Sequence, residues 1–217
     1  MYFEMNTTDD NLNQLLSNSY ILAGSPCCGK STLAERLKDE FHFQWYTVDD
    51  HQDLHLKQCT PERHPTLCCY ASMSWNERWS RPVNVQVQEV FAISRERFEM
   101  ILQDLEPFDP AKPLVLEGTA FLPEWLAAHR VDPGRVIFFA PTPEFQRRQY
   151  GKRLWIRDIL KECEDPEQAF ENWMLRDQAF GREILRQAVE RQYRTLWVDG
   201  RQTIDERYHE VKGMLAI

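Results

Sequence analysis

Between Gly24 and Ser31 the chain reads Gly-Ser-Pro-Cys-Cys-Gly-Lys-Ser, which meets G-x-x-x-x-G-K-[ST] at every defined position. That spacing serves one task, holding a polyphosphate. The glycines let the backbone curl until successive N–H groups face a single anion. A lysine directly after the second glycine reaches the β- and γ-phosphates, and the hydroxyl that follows can ligate Mg²⁺. The expected nucleotide contacts are therefore Gly24, Ser25, Pro26, Cys27, Cys28, Gly29, Lys30, Ser31 and Thr32. Lys30 is also a candidate catalytic residue, and Ser31 a candidate metal ligand. The backbone does the binding, so the two cysteine side chains need not matter, although adjacent thiols are open to oxidation or alkylation.

Such a loop works only between a strand and a helix, and both are written in the sequence. Tyr20-Ile21-Leu22-Ala23 reads as a short buried strand. After the loop, Leu33, Ala34 and Leu37 recur at helical spacing among Glu35, Arg36 and Lys38. The helix adds its positive N-terminal pole to the phosphate site. Phe43–Val48 is a second strand, ending in Asp49-Asp50, and Leu114-Val115-Leu116 a third, ending in Glu117-Gly118. Arg135–Ala140 and Thr195–Val198 are two more strands. Helical patterns run over 87–105, 122–129, 166–192 and from Ile204 to Leu215, with Gly181 a weak point inside the long one. Thr142-Pro143-Glu144 is a helix start: cap, proline at the first position, acid in the first turn. Residues 1–18 read as a frayed end or a short helix. Residues 51–82, broken by Pro61, Pro65 and Pro82, read as irregular, and Val83–Val87 alternates like a short strand. Strands this apolar must be covered on both faces, which predicts an α/β domain with a parallel sheet. Ligands of such sheets sit at the carboxyl ends of the strands. The loop, Asp49, Asp50 and Glu117 should thus converge on one crevice.

The bulk numbers narrow the function classes. A chain of 217 residues, 42% hydrophobic and 28% charged, is sized and composed for one globular domain with a full core. Its net charge of −8 speaks against a nucleic-acid partner. No apolar run approaches the ~20 residues of a membrane helix, and the acidic, polar start does not form a signal peptide. Six cysteines, at 27, 28, 59, 68, 69 and 163, do not make a disulfide framework, and a cytoplasmic, reducing setting fits them. His51, His55, Cys59, His64, Cys68 and Cys69 match no standard tetrahedral zinc spacing and are expected to be loop and core residues. Trp75 and Trp79 are expected to pack in the core rather than to stack on a ligand.

The intact loop, the acids after strands two and three, and the arginine-rich segment after strand four resemble the P-loop small-molecule kinases of the adenylate, shikimate and uridine kinase type. The resemblance implies a three-layer P-loop NTPase fold, with a central, mostly parallel five-stranded sheet and a helical lid at about 150–165. It implies ATP and Mg²⁺ as cofactors. The acceptor would be a hydroxyl or phosphate of a small molecule, taken by an insertion over 51–110. It makes Asp49 or Asp50 the base, without choosing between them. Glu117 then holds Mg²⁺ directly or through water, Arg148 takes the nucleotide, and Arg153 takes the charge of the moving phosphoryl group. Arg147, Lys152 and Arg157 crowd the same basic stretch. The family resemblance leaves a monomer or a homodimer open. The alternative is a nucleotide-binding NTPase or regulatory protein without transfer to a small molecule. A GTPase is disfavoured because Asn-Lys-x-Asp does not occur, and a mechanical ATPase by size.

Overall fold

The computed structural model describes residues 7–217. Five apolar runs form five parallel strands: β1 (Ser19–Gly24), β2 (Gln44–Thr47), β3 (Leu114–Gly118), β4 (Val136–Pro141) and β5 (Arg194–Val198). Their order across the sheet is β2-β3-β1-β4-β5. β1, β3 and β4 are buried along their whole length, which is why their sequences are almost purely apolar rather than alternating. The two-residue period still sorts them into layers. Ile21, Ala23, Leu116 and Phe138 face one side, and Tyr20, Leu22, Val115 and Ile137 face the other.

Two sets of helices cover the sheet. On the second face lie α2 (Lys30–Phe41), through Leu33 and Leu37, and α12 (Ile204–Leu215), through Tyr208 and Val211. On the first face lie α1 (Thr7–Ser17), α6 (Val83–Glu96), α7 (Phe98–Leu105), α8 (Pro123–Ala128) and the 25-residue α11 (Pro166–Glu190). Residues 7–17 of the polar amino-terminal stretch are thus helical, and 1–6 lie outside the described residues.

Three expectations are corrected. The segment 51–82 is not irregular. After a 3-10 turn at Asp49–His51 it holds α3 (Gln52–Gln58), α4 (Pro65–Ser72) and α5 (Trp75–Trp79). Pro65 opens α4, where its missing N–H costs nothing. Ser74 and Glu77 form a reciprocal cap on α5. The pattern over 87–105 is two helices broken at Arg97, and the Val83–Val87 alternation is the first turn of α6. Gly181 is not a weak point. A β-carbon there would lie 3.2 Å from the Ala140 β-carbon and 3.4 Å from that of Ser25. Glycine is what lets α11 approach β4 and the phosphate loop together.

The basic stretch is also ordered. Thr142 caps α9 (Pro143–Tyr150), accepting from the Phe145 N–H at 3.4 Å, and a turn leads to α10 (Leu154–Leu160). Ile156 and Leu160 pack with Tyr150, Trp173, Met174 and Trp79, so α10 rests on α11 and α5. Among the described residues no helix is long and apolar enough to cross a membrane.

Candidate functional site

The loop is set by backbone constraint. Gly24 takes φ +108°, and a β-carbon there would run into the Phe139 carbonyl of β4. Ser25 N–H donates to that same carbonyl at 2.8 Å, which fastens the loop's first residue to the sheet. Cys27 also adopts the left-handed region, at φ 68°, and Gly29 turns the chain at φ 78° into α2. No side chain caps α2, so its first N–H groups remain for an anion. Lys30 is buried and reaches back across the loop to donate to the Ser25 carbonyl at 2.8 Å. Burial pushes the thiols of Cys27 and Cys28 up to about 11 and about 12, so both stay protonated near neutrality.

Glu117 completes the floor. The sheet register sets Thr47 beside it, and α2 brings Ser31 over it. Ser31 Oγ donates to Glu117 Oε2 at 3.1 Å and Thr47 Oγ1 donates to the same oxygen at 3.3 Å. Lys30 Nζ lies 3.8 Å from Oε1. Burial raises the Glu117 pKa, against the pull of Lys30, and the nearby Asp49 charge adds to the rise. Two hydroxyls and a carboxylate are a hard-oxygen set, the kind that suits Mg²⁺. Thr47 was missed at the level of sequence. Its signal was there: a hydroxyl as the last buried residue of a strand whose neighbour ends in an acid.

Asp49 and Asp50 are exposed in the 3-10 turn at the carboxyl end of β2. Of the two, Asp49 is the one whose charge acts on both Glu117 and Arg97. Arg97 was not foreseen. It stands at the break between α6 and α7, buried, and donates to the Val48 carbonyl at 2.9 Å and to His55 Nδ1 at 3.0 Å. With Nδ1 accepting, the proton of His55 sits on Nε2, which donates to Asp104 at 2.8 Å. Tyr46 O–H donates to the same carboxylate at 2.7 Å. Burial, then Arg97, lowers the His55 pKa against the opposing effect of Asp104, so the ring is neutral. This chain of bonds ties the backbone just before Asp49 to α3, α7 and the break between α6 and α7.

The arginines divide. Arg148 lies over the Phe145 ring, 5.1 Å from its centre, and both pack against Gly200 in the turn after β5. Arg153 lies over Tyr150 at 5.1 Å, and its charge acts on Cys27 at the loop tip. Tyr150 O–H donates to Asp177, whose backbone carbonyl accepts from Ser25 Oγ at 3.3 Å. Thus Arg153 and the loop share one anchor on α11. Arg147 is turned away into a two-bond pair with Glu171 at 2.5 and 2.6 Å. Trp79 is core, stacked on Trp173 at 3.8 Å, and Trp75 is partly buried against the same cluster. Among the described residues no three His, Cys, Asp or Glu side chains gather as a metal site. Of the residues first weighed for zinc, His55 bonds to Arg97 and Asp104, His64 to the Thr60 N–H at 3.2 Å, and Cys68 to Cys59.

No protein-family model and no curated protein matches the chain. Many solved structures resemble it in shape, among them two kinases. One is a deoxyadenosine kinase from M. mycoides with bound dATP, 11% identical, with a TM-score of 0.49, over 92% of this chain and 100% of that one. The other is a gluconokinase from Sinorhizobium meliloti 1021, 16% identical, with a TM-score of 0.42, over 92% of this chain and 93% of that one. In this chain itself, the five parallel strands, their order with β1 at the centre, and the phosphate loop between β1 and α2 make the three-layer P-loop NTPase fold.

Proposed function

We propose that this protein is an ATP-dependent phosphotransferase that moves the γ-phosphoryl group, from ATP held with Mg²⁺, to a hydroxyl or phosphate of a small molecule. The observation that carries the reading is the convergence of Lys30, Ser31, Thr47 and Glu117 within hydrogen-bonding or ion-pair reach, beside an acid at the end of β2. In the bound state the loop N–H groups and Lys30 hold the phosphates. Ser31, Thr47 and Glu117 would hold the metal. Mg²⁺ supplies charge neutralisation across the phosphate oxygens. Arg148 and Phe145, packed on the turn at Gly200, would flank the nucleoside end, and Arg153 would face the charge that develops on the moving group.

We assign the base role to Asp49 rather than Asp50. The Arg97 bond to the Val48 carbonyl fixes the backbone next to Asp49, and Asp49 shares the field of Glu117. Asp49 would orient the acceptor hydroxyl and take its proton late, because the transition state is loose. The helices over 51–110 would select the acceptor, and residues 150–165 would close over it. General-base assistance is typically worth ~10²–10⁴-fold. Asp49→Asn should lose that order of acceptor-dependent turnover with unchanged ATP affinity, while Asp50→Asn stays within a few-fold of the parent. Equal activity in both variants would remove Asp49 from this role.

A further inference from the structure

We infer that Cys59 and Cys68 are a dithiol–disulfide couple, a modification site separate from the phosphate loop and independent of the kinase reading. Cys59 ends α3, and Cys68 lies in α4. The Cys68 thiol donates to the Cys59 sulfur at 2.8 Å, and the Cys59 thiol donates to the Leu56 carbonyl at 3.3 Å. A disulfide bond is ~2.05 Å long, so closing it shortens the separation by less than ~1 Å. Both cysteines are half-buried, so solvent reaches them, whereas Cys28 and Cys163 are buried and have no such partner.

The surrounding structure holds the pair in place. The Thr60–His64 turn joins the two helices, with His64 Nδ1 accepting from Thr60 N–H and Cys68 N–H donating to the His64 carbonyl at 3.0 Å. Glu96 of α6 caps α4, accepting from the N–H groups of Thr66 and Leu67 at 2.9 and 2.8 Å. Neither thiol needs a helix to move before the sulfurs meet.

The oxidant is a low-molecular-weight disulfide such as oxidised glutathione. One protein thiolate attacks it, expelling one glutathione thiolate and leaving a mixed disulfide. The second protein thiolate attacks that bond, expelling the other glutathione. In sum, two protein thiols lose two protons and two electrons, and one glutathione disulfide becomes two thiols. The bond to Cys59 and the charges of Glu96 and Glu62 raise the Cys68 thiol to about 11. A thiol so placed is slow at neutral pH, so closure accelerates as pH rises. It also gives no thiolate stabilisation to the reduced form, which favours the disulfide once made.

The sequence makes the test direct. Arg63 lies between the two cysteines and Lys57 before them, so trypsin leaves Cys59 on Gln58–Arg63 and Cys68 on His64–Arg78. The full chain is equilibrated in glutathione buffers of increasing oxidised fraction, quenched with acid, alkylated, digested without reductant and weighed. The expected result is a cross-link of these two peptides, two hydrogens lighter than their sum. It should build up with the oxidised fraction, form faster at pH 9 than at pH 7, reverse with dithiothreitol, persist in Cys69→Ser and vanish in Cys68→Ser. The inference is overturned if Cys59 and Cys68 stay fully alkylated in the most oxidising buffer, if glutathione stops at a mixed disulfide on either, or if the cross-link survives in Cys68→Ser and so belongs to Cys69.

Discussion

Glu117 is pulled in two directions by its surroundings, and one substitution separates them. Burial raises its pKa above that of the unfolded chain. A carboxyl raised in this way supports the fold fully below the unfolded value, ~4.3. It loses that contribution as pH climbs through the folded value. Glu117→Gln removes the buried charge. Without metal it should therefore be more stable than the parent at pH 7, by on the order of 1 kcal/mol, and should show no gain near pH 4. Urea melts at the two pH values measure this. The same variant should lose the Mg²⁺ dependence of ATP binding, measured by calorimetry. No change in that dependence would count against the metal assignment. Arg97 behaves oppositely. Arg97→Met strands the buried Val48 carbonyl and His55 Nδ1 without donors, and should cost ~1–3 kcal/mol per stranded acceptor in chemical denaturation. A loss below ~1 kcal/mol would show that the network does not hold this region. At this scale the turn from β1 into α2 was legible because its residues are consecutive and its shape is set by the backbone. Thr47, His55, Arg97 and Asp104 were not, because they meet only through strand register and helix crossing.

Among the elements, strands were easier to read than short helices. A buried parallel strand is apolar from end to end, so β1, β3 and β4 announce themselves. Helices of five to eight residues, such as α3, α4 and α5, give too few turns for a period to show. Their tertiary partners define them instead. In α10, expected from the family resemblance as a helical lid, the buried positions are only Ile156 and Leu160. That helix rests on α11 through these two side chains, beside a cavity of about 450 Å³ lined by Arg153, Arg157, Phe170 and Glu171 among others. Thin anchoring beside a cavity suits an element that moves on ligand binding. Hydrogen exchange over 151–165 should slow at least several-fold when ATP and acceptor are both bound, and less with ATP alone. Identical exchange in the free and fully liganded protein would contradict a closing role.

For the whole molecule, the topology places the residues assigned to the proposed chemistry along the carboxyl edge of the sheet. The phosphate loop follows β1, Asp49 follows β2, Glu117 lies near the end of β3, and the Gly200 turn follows β5. α11 binds this edge together, touching the loop through Asp177 and admitting it through Gly181. Such an arrangement predicts transfer rather than mere nucleotide binding, and labelled ATP distinguishes the two. The protein is incubated with Mg²⁺ and ATP labelled at the γ-position, with and without a panel of hydroxylated and phosphorylated small molecules. The account predicts that label moves onto one chemical class of acceptor, that ATP consumption depends on that acceptor, and that Lys30→Ala abolishes both. ATP bound tightly with Mg²⁺, yet no acceptor labelled and no acceptor-dependent consumption, would contradict it and leave a nucleotide-binding protein without phosphotransfer.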